Sequence, residues 1–266
     1  MPQFLRRGRS PRATQARPEP RLSRLALEHA LTSHDQVAAH LGTEILAGAY
    51  PPGSNMPHET VLIERFGVSR TVLREAMKTL AAKGFVMSKT RVGTRVRDPI
   101  HWNFFDADVL AWRVRIGLDD HFLRSLTEVR RALEPTAAAL AARRRSDADI
   151  LRLRSHLEQM ARAGTRQGFA ECDLDFHLAI GVASGNPLMR SVASVIEAAL
   201  AASFVHSSPV DDAEDHERTV HAHAAVVDAI ESRDERAAAA AMRHVIDIGM
   251  QRITAAKQRS GDPPKR

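Results

Sequence analysis

Asp173 and His177 stand four residues apart in a stretch whose apolar spacing is helical, so their side chains share one helix face. A carboxylate and an imidazole so placed can give two ligands to a divalent metal ion. His221 or His223 could give a third and His244 a fourth, each from a later helix. The same spacing has an ordinary reading. With 13 histidines in the chain some such pairs arise by chance, and a histidine on an Ala-rich helix is commonly a plain surface or core residue. The single Cys172 excludes an internal disulfide framework and a Cys-based zinc finger, and beside Asp173 it reads as a small apolar residue. There is no His-Glu-x-x-His pair, no nucleophile elbow and no phosphate-cradling Gly-rich loop, and no paired carboxylate stands out as a general base. A metal-dependent enzyme is therefore the runner-up reading.

A second constellation lies earlier in the chain. Arg70, Thr71 and Arg74 stand opposite the apolar positions Leu73, Ala76 and Leu80, and the two arginines, four apart, lie on one side. An arginine near the start of a recognition helix can pair bidentately with the O6 and N7 of guanine. Ser69 and Thr71 offer short hydroxyls to phosphates or base edges. Lys89, Arg91 and Arg95 follow in a β-rich stretch, where they would hold phosphates or enter a minor groove. The competing reading pairs Arg70 and Arg74 with Glu64 and Glu75 on the surface. The charge distribution fits a nucleic-acid-binding domain with a basic arm, and equally a solubilising tail with ordinary surface charge. Residues 1–30 carry seven Arg against two Glu, and residues 31–98 carry nine basic and six acidic side chains. The net +6 of the chain thus sits in its first third, and the remainder is net −2.

These residues need elements to position them. Aromatics are only 5% while Ala, Leu, Arg and Glu are plentiful, which favours helix over sheet. Residues 1–30, rich in Arg, Pro and Ser, read as a disordered basic arm. Val37, Leu41 and Ile45 mark a first helix, ended by Gly48 and Pro51-Pro52-Gly53; Leu62 and Phe66 mark a second, ended by Gly67; Ser69 caps a third, closed by Gly84. Two β-rich runs around a basic turn containing Gly93 then predict a hairpin. Residues 31–98 so outline a winged helix-turn-helix. Residues 99–116 form a connector in which Trp102, Phe105, Val109 and Trp112 fall at helical spacing, which predicts that it docks on a domain. Helices are predicted near 120–144, 147–163, 168–184, 187–205, 212–231 and 234–257. The fold class is mainly α: the winged helix followed by an antiparallel helical bundle over 117–258 for effector binding and dimerisation, with a tail at 259–266. No apolar run reaches the ~18 residues of a membrane span. Arg6-Arg7 is not followed by an apolar stretch, so no export signal is expected and the protein is expected in the cytoplasm.

At Gly67-Val68-Ser69-Arg70-Thr71-Val72-Leu73-Arg74-Glu75-Ala76 the chain resembles the recognition helix of GntR-type transcription regulators almost residue for residue. Glu44-Ile45-Leu46-Ala47-Gly48 with Tyr50-Pro51-Pro52-Gly53 is similar to their first helix and turn, and Arg91-Val92-Gly93-Thr94-Arg95-Val96 to their wing. The resemblance implies double-stranded operator DNA as partner, contacted by Ser69, Arg70, Thr71 and Arg74 and by the wing residues Lys89, Arg91, Gly93, Thr94 and Arg95, with Gly93 at the wing tip. It also implies a homodimer that reads an inverted repeat. Met56-Pro57-His58-Glu59-Thr60 departs from the pattern. The family often has Ser or Ala for His58 and Arg for Thr60, and that Arg commonly touches DNA, so one contact is in doubt here.

Glu128-Val129-Arg130, Leu133-Glu134-Pro135, Asp173-x-x-Phe176-His177 and Ser184-Gly185-Asn186-Pro187 resemble the FCD effector domain of the FadR branch of this family. Many such domains hold a divalent metal, zinc among them, through one Asp and three His. By that resemblance Asp173, His177 and His223 match three ligands. His244 falls near the fourth but one residue out of step, about 100° of helix rotation. An openly coordinated metal suits a hydroxy-carboxylate effector, for which Arg130 is the second handle; the alternative for Arg130 is a salt bridge with Glu134. Trp102 to Trp112 resembles a segment of galactonate-operon repressors in this branch, which implies a sugar-acid effector such as an aldonate and a repressor released by it. A regulator that senses the metal itself is the third reading.

Overall fold

The computed structural model describes residues 33–89, 93–195 and 197–260. The expected basic arm at 1–30 and the wing residue Arg91 lie outside the described residues, as does the side chain of Lys89.

Helix α1 (Ser33–Leu46) buries Val37, Ala38, Leu41 and Ile45, the stripe that its sequence spacing predicts. Helix α2 (Glu59–Phe66) starts at His58, whose ring accepts the Thr60 N–H, and sends Leu62 into the core. Helix α3 (Arg70–Ala82) starts at Ser69, whose hydroxyl accepts the Val72 N–H at 3.3 Å. Its inward stripe is Leu73, Ala76 and Leu80, which leaves Arg70, Thr71 and Arg74 on the exposed side. Strands β1 (Val86–Lys89) and β2 (Gly93–Val96) pair antiparallel, Val86 opposite Val96 and Lys89 opposite Gly93. Gly93 therefore opens β2 and is not at the tip of the turn. Residues 53–56 pair with the other edge of β2: Met56 N–H donates to the Thr94 carbonyl (2.8 Å) and Val96 N–H to that of Ser54 (2.9 Å).

The connector docks on this unit. Gly84 leaves α3 at φ +84°, and a Cβ there would overlap the carbonyl of His101. Trp102 stacks on Phe85 at 4.9 Å, and its indole N–H donates to the Arg97 carbonyl at 3.2 Å. Helix α4 (Ala107–Arg115), capped by Asp106, places Trp112 edge-on to Phe85 and against α1 at Gly42, where a Cβ would overlap the indole. The buried Lys83 at the end of α3 donates to Asp106 (2.7 Å) and Asp108 (2.8 Å). A buried ammonium is tolerated only when so paired. These contacts make α4 part of the core of the winged helix.

The remaining helices are α5 (Asp120–Arg144), α6 (Asp147–Arg162), α7 (Arg166–Ala183), α8 (Pro187–Val195), α9 (Glu197–Ser207), α10 (Ala213–Glu231) and α11 (Glu235–Ser260). The helix predicted over 187–205 is described as α8 and α9 on either side of residue 196, and α11 runs into the expected tail as far as Ser260. Asp119, Ser146, Thr165 and Asp212 cap α5, α6, α7 and α10. Ala138, Ala141 and Ala142 are fully buried, and their small size lets α5 approach its neighbours closely. Helix α5 packs on α11 and α7, α7 on α6 and α9, and α10 on α11 and α6. Helix α7 is the central one, buried at Phe169, Asp173, Phe176, His177 and Ile180. Helix α9 also packs on α4, so the bundle meets the connector there. Among the described residues no helix is long and apolar enough to cross a membrane.

Candidate metal and effector site and nucleic-acid interface

Asp173 and His177, one turn apart on α7, meet His223 of α10 inside the bundle. All three are buried, and one donor atom from each lies within 4.8 Å of the others. The Asp173 Oδ1 is 3.0 Å from His223 Nε2 and 3.3 Å from His177 Nε2. The opposite ring nitrogens face acceptors. His223 Nδ1 is 2.8 Å from the Thr219 carbonyl, which can only accept, so that nitrogen carries the proton. His177 Nδ1 is 2.9 Å from Glu134 Oε2. Both Nε2 atoms thus turn toward one carboxylate oxygen. This is the outer-shell arrangement that fixes metal-binding histidines. An ion with bonds of about 2.0–2.2 Å fits between donors so spaced, and an N,N,O set suits zinc or a similar divalent ion.

The electrostatics agree with a site built to hold positive charge. Burial would raise the Asp173 carboxyl, but hydrogen bonds from His177 and His223 outweigh it and hold the group far below the carboxylate range. Burial would also raise Glu134, yet the charges of Arg130 and His177 bring it down to about 2. For His177 burial works downward and is outweighed by Glu134 and Asp173, which raise the imidazole to about 9. Arg130 is buried and makes a bidentate pair with Glu134, Nε to Oε1 at 2.7 Å and a terminal nitrogen to Oε2 at 3.2 Å. Another contact of the same guanidinium reaches His177 Nε2 at 3.4 Å, and Phe204 lies under it at 4.6 Å. Of the two readings of Arg130, the salt bridge with Glu134 is present, and it lies beside His177. A pocket opens on the Arg130–Glu134–His177 side of this cluster.

The two remaining histidines of the expected set stand elsewhere. His221 is exposed while His223 is 1% exposed, so the later of the two joins the cluster. His244 is exposed, and this corrects its reading as a fourth ligand. On α11 the inward positions are Met242, Val245 and Ile246, and the one-residue offset turns His244 outward. Among the described residues, Asp173, His177 and His223 form the metal-capable group. Cys172 is half-buried against the core, and burial with the nearby carboxylates of Asp175 and Glu171 pushes its thiol up to about 11, as for an inert apolar residue. The contact from Glu134 to His177 was missed in the sequence, because the Arg130–Glu134 spacing explained that carboxylate already.

On the winged helix, Arg70 and Arg74 are exposed and both turn to Glu59 of α2, at 3.4 Å and 3.8 Å from its Oε1. The expected surface partners were Glu64 and Glu75; Glu75 instead pairs with Lys78 at 2.8 Å. Pairs this exposed are weak, so Glu59 can orient the two guanidinia without withholding them. Ser69 spends its hydroxyl on the cap, and Thr71 lies exposed beside Arg70. Arg95 is exposed at the base of the hairpin, where its Nε donates to the Gly53 carbonyl, and Thr94 is half-buried. His58 and Thr60 bond one another, Nδ1 to Oγ1 at 2.9 Å, where the family pattern has Ser or Ala and Arg.

An exposed, arginine-bearing helix on a winged unit, joined to a helical bundle with an internal polar site, defines a DNA-binding transcription regulator with a ligand-binding domain. Residues 33–96 match the bacterial regulatory proteins of the gntR family, and residues 125–247 match the FCD domain. The galactonate operon transcriptional repressor of Escherichia coli is 32% identical over 224 residues, 84% of this chain and 97% of that protein. The uncharacterized HTH-type regulator YieP of the same organism is 37% identical, over 76% of this chain and 87% of its own length. The chain therefore belongs to the GntR family and carries an FCD domain. The solved structure of Lar, described as controlling the Listeria monocytogenes agr system, has the same fold at a TM-score of 0.58 and 19% identity, covering 85% of this chain and 99% of that one.

Proposed function

We propose that the protein is a dimeric repressor that binds an inverted-repeat operator through Arg70, Thr71, Arg74 and the wing, and that a small hydroxy-carboxylate releases it. The observation that carries this reading is the convergence of Asp173, His177 and His223 beside Arg130, with His177 and Arg130 in the wall of a pocket. A divalent metal, zinc being one choice, would be held by those three side chains and would act as a Lewis acid for the effector's oxygens. Glu134 and the Thr219 carbonyl would keep the two rings turned toward it, and Arg130 would take the carboxylate. Likeness to a galactonate operon repressor supports a sugar-acid effector such as an aldonate within that class. One recognition helix reads only a few base pairs, so two chains per operator are needed for specificity. The basic arm at 1–30 would add phosphate contacts without sequence preference, and the reading places the protein with its DNA in the cytoplasm.

A second reading, in which the metal itself is the signal, rests on the same buried cluster. Titrating metal and hydroxy-acids separately against an operator selected from random DNA separates the two. Release by the acid at saturating metal is expected. Release by metal alone, with no response to any acid, would replace the first reading by the second. The enzyme alternative is not retained, since the relatives compared are named as transcription regulators.

A further inference from the structure

The pocket beside the cluster has a marked division of character. Among the described residues its polar side chains are Arg130, Glu134 and His177, which touch one another. The rest of the wall is apolar, with Leu133, Ile180, Met189, Val192, Leu200 and Met242 among its residues. The space is partly enclosed and opens to solvent on one side. It continues one helical turn past the polar group on both long helices, to Ala137 on α5 and Gly181 on α7, whose small size leaves it open. Helix α8 closes it: a Cβ on Gly181 would stand 3.9 Å from the Cβ of Ala193.

An aldonate carries a hydroxyl on every carbon beyond its carboxylate. Each one buried here would need a hydrogen-bond partner, and among the described residues the wall of Leu, Ile, Met, Val and Ala supplies none. The backbone of the lining residues belongs to helices and is already paired within them. A short alkyl chain has the opposite requirement and gains from the same wall.

We propose that the effector is an α-hydroxy-carboxylate with a short alkyl tail, its head at Arg130 and His177 and its tail between Gly181 of α7 and Met189 and Ala193 of α8. The assignment rests on the hydroxy-carboxylate reading above and narrows it away from polyhydroxy acids. The head would be taken by the Arg130 nitrogen that is not engaged by Glu134 or His177, and His177, one of the metal-capable donors, lines the same end. The apolar part fits only the tail.

Calorimetry on the full-length protein tests this, with zinc loaded and after chelation, using lactate, α-hydroxybutanoate, α-hydroxyhexanoate and galactonate as probes. Each added methylene should tighten binding about fourfold, so that α-hydroxyhexanoate binds roughly 60-fold tighter than lactate. Ala193→Phe should flatten the chain-length series in the variant, with operator binding as the check on folding. Galactonate binding more tightly than α-hydroxyhexanoate would overturn the tail assignment while leaving the hydroxy-carboxylate regulator standing. A flat chain-length series in the unaltered protein would do the same without relying on the variant. Absence of binding by every acid, with operator binding intact, would instead remove the underlying hydroxy-carboxylate reading, and the tail with it.

Discussion

Arg70 and Arg74 differ from ordinary surface arginines in sharing one carboxylate, Glu59, that belongs to the preceding helix. The pairing holds both guanidinia toward the same side, and it is weak enough for guanine to displace it. Arg70→Ala should therefore cost about 1–3 kcal/mol on the cognate operator and relax discrimination at one base pair. Arg95, tied to the Gly53 carbonyl at the foot of the wing, should behave as a phosphate contact, and its loss should weaken all sequences about equally. The ratio of cognate to random-DNA affinity separates the two; an unchanged ratio in Arg70→Ala would exclude base readout by that residue. At the other site, His177→Ala removes a donor that faces Asp173 with one nitrogen and Glu134 with the other. The variant should lose metal and the response to acid while still binding operator, which makes it a permanent repressor in a reporter strain. Metal content and induction measured on the same preparation test this, and normal induction in a metal-free variant would leave His177 with a structural role only.

Caps set where the helices begin, and several carry charge as well. Asp119 accepts the Phe122 N–H at 2.8 Å to start α5 and also pairs with Arg113 of α4. Partial burial works to raise this carboxyl, but the Phe122 bond and Arg113 win and hold it below its ordinary 3.8. A group lowered on folding stabilises above its unfolded pKa, and the contribution fades as pH falls through the folded value. Asp119→Ala should thus cost about 1 kcal/mol near neutral pH, and the penalty should shrink toward pH 3 and below. Thermal melts of both proteins across that range would show it; a pH-independent difference would assign the effect to the cap geometry alone. The Ser69 cap was legible in the sequence and the Asp119 cap was not singled out; the inward stripes of α1 and α3 were legible because a helix writes its period into three or four apolar positions. Asp173 with His177 was legible for the same reason, being one turn apart. Spacing left His221 and His223 open, since the choice depends on which face of α10 meets α7, and it was the family resemblance that pointed to His223. The outward turn of His244 was signalled by its one-residue offset, which decides its face on α11. The apolar wall of the pocket was hidden, because Leu133, Met189 and Leu200 look like any core residues until three helices bring them around one space.

For the whole molecule the question is how a ligand inside the bundle reaches the operator. Phe204 and Leu200 of α9 border the ligand site, Phe204 beneath the Arg130 guanidinium and Leu200 in the pocket wall. The same helix packs on α4, and α4 carries Trp112 into the core of the winged helix against Phe85 and Gly42. A displacement of α9 on ligand binding would therefore reach α1 through one rigid ring wedged against a glycine. Contact alone does not establish coupling; a ligand shifts the balance only by its difference in affinity for two packings. Trp112→Phe keeps an apolar ring there but loosens the fit at Gly42. Operator affinity without effector and effector affinity without DNA should each change little. The factor by which effector weakens operator binding, in the range of about 5–150-fold for coupled sites generally, should fall toward unity. Measuring both affinities and their coupling in one thermodynamic cycle gives the test, because reciprocity requires the same factor whether acid or DNA is added first. If that factor is unaltered in Trp112→Phe, the signal does not pass through the α9–α4 contact, and the separation of the two operator-binding units must be set by contacts between the two chains.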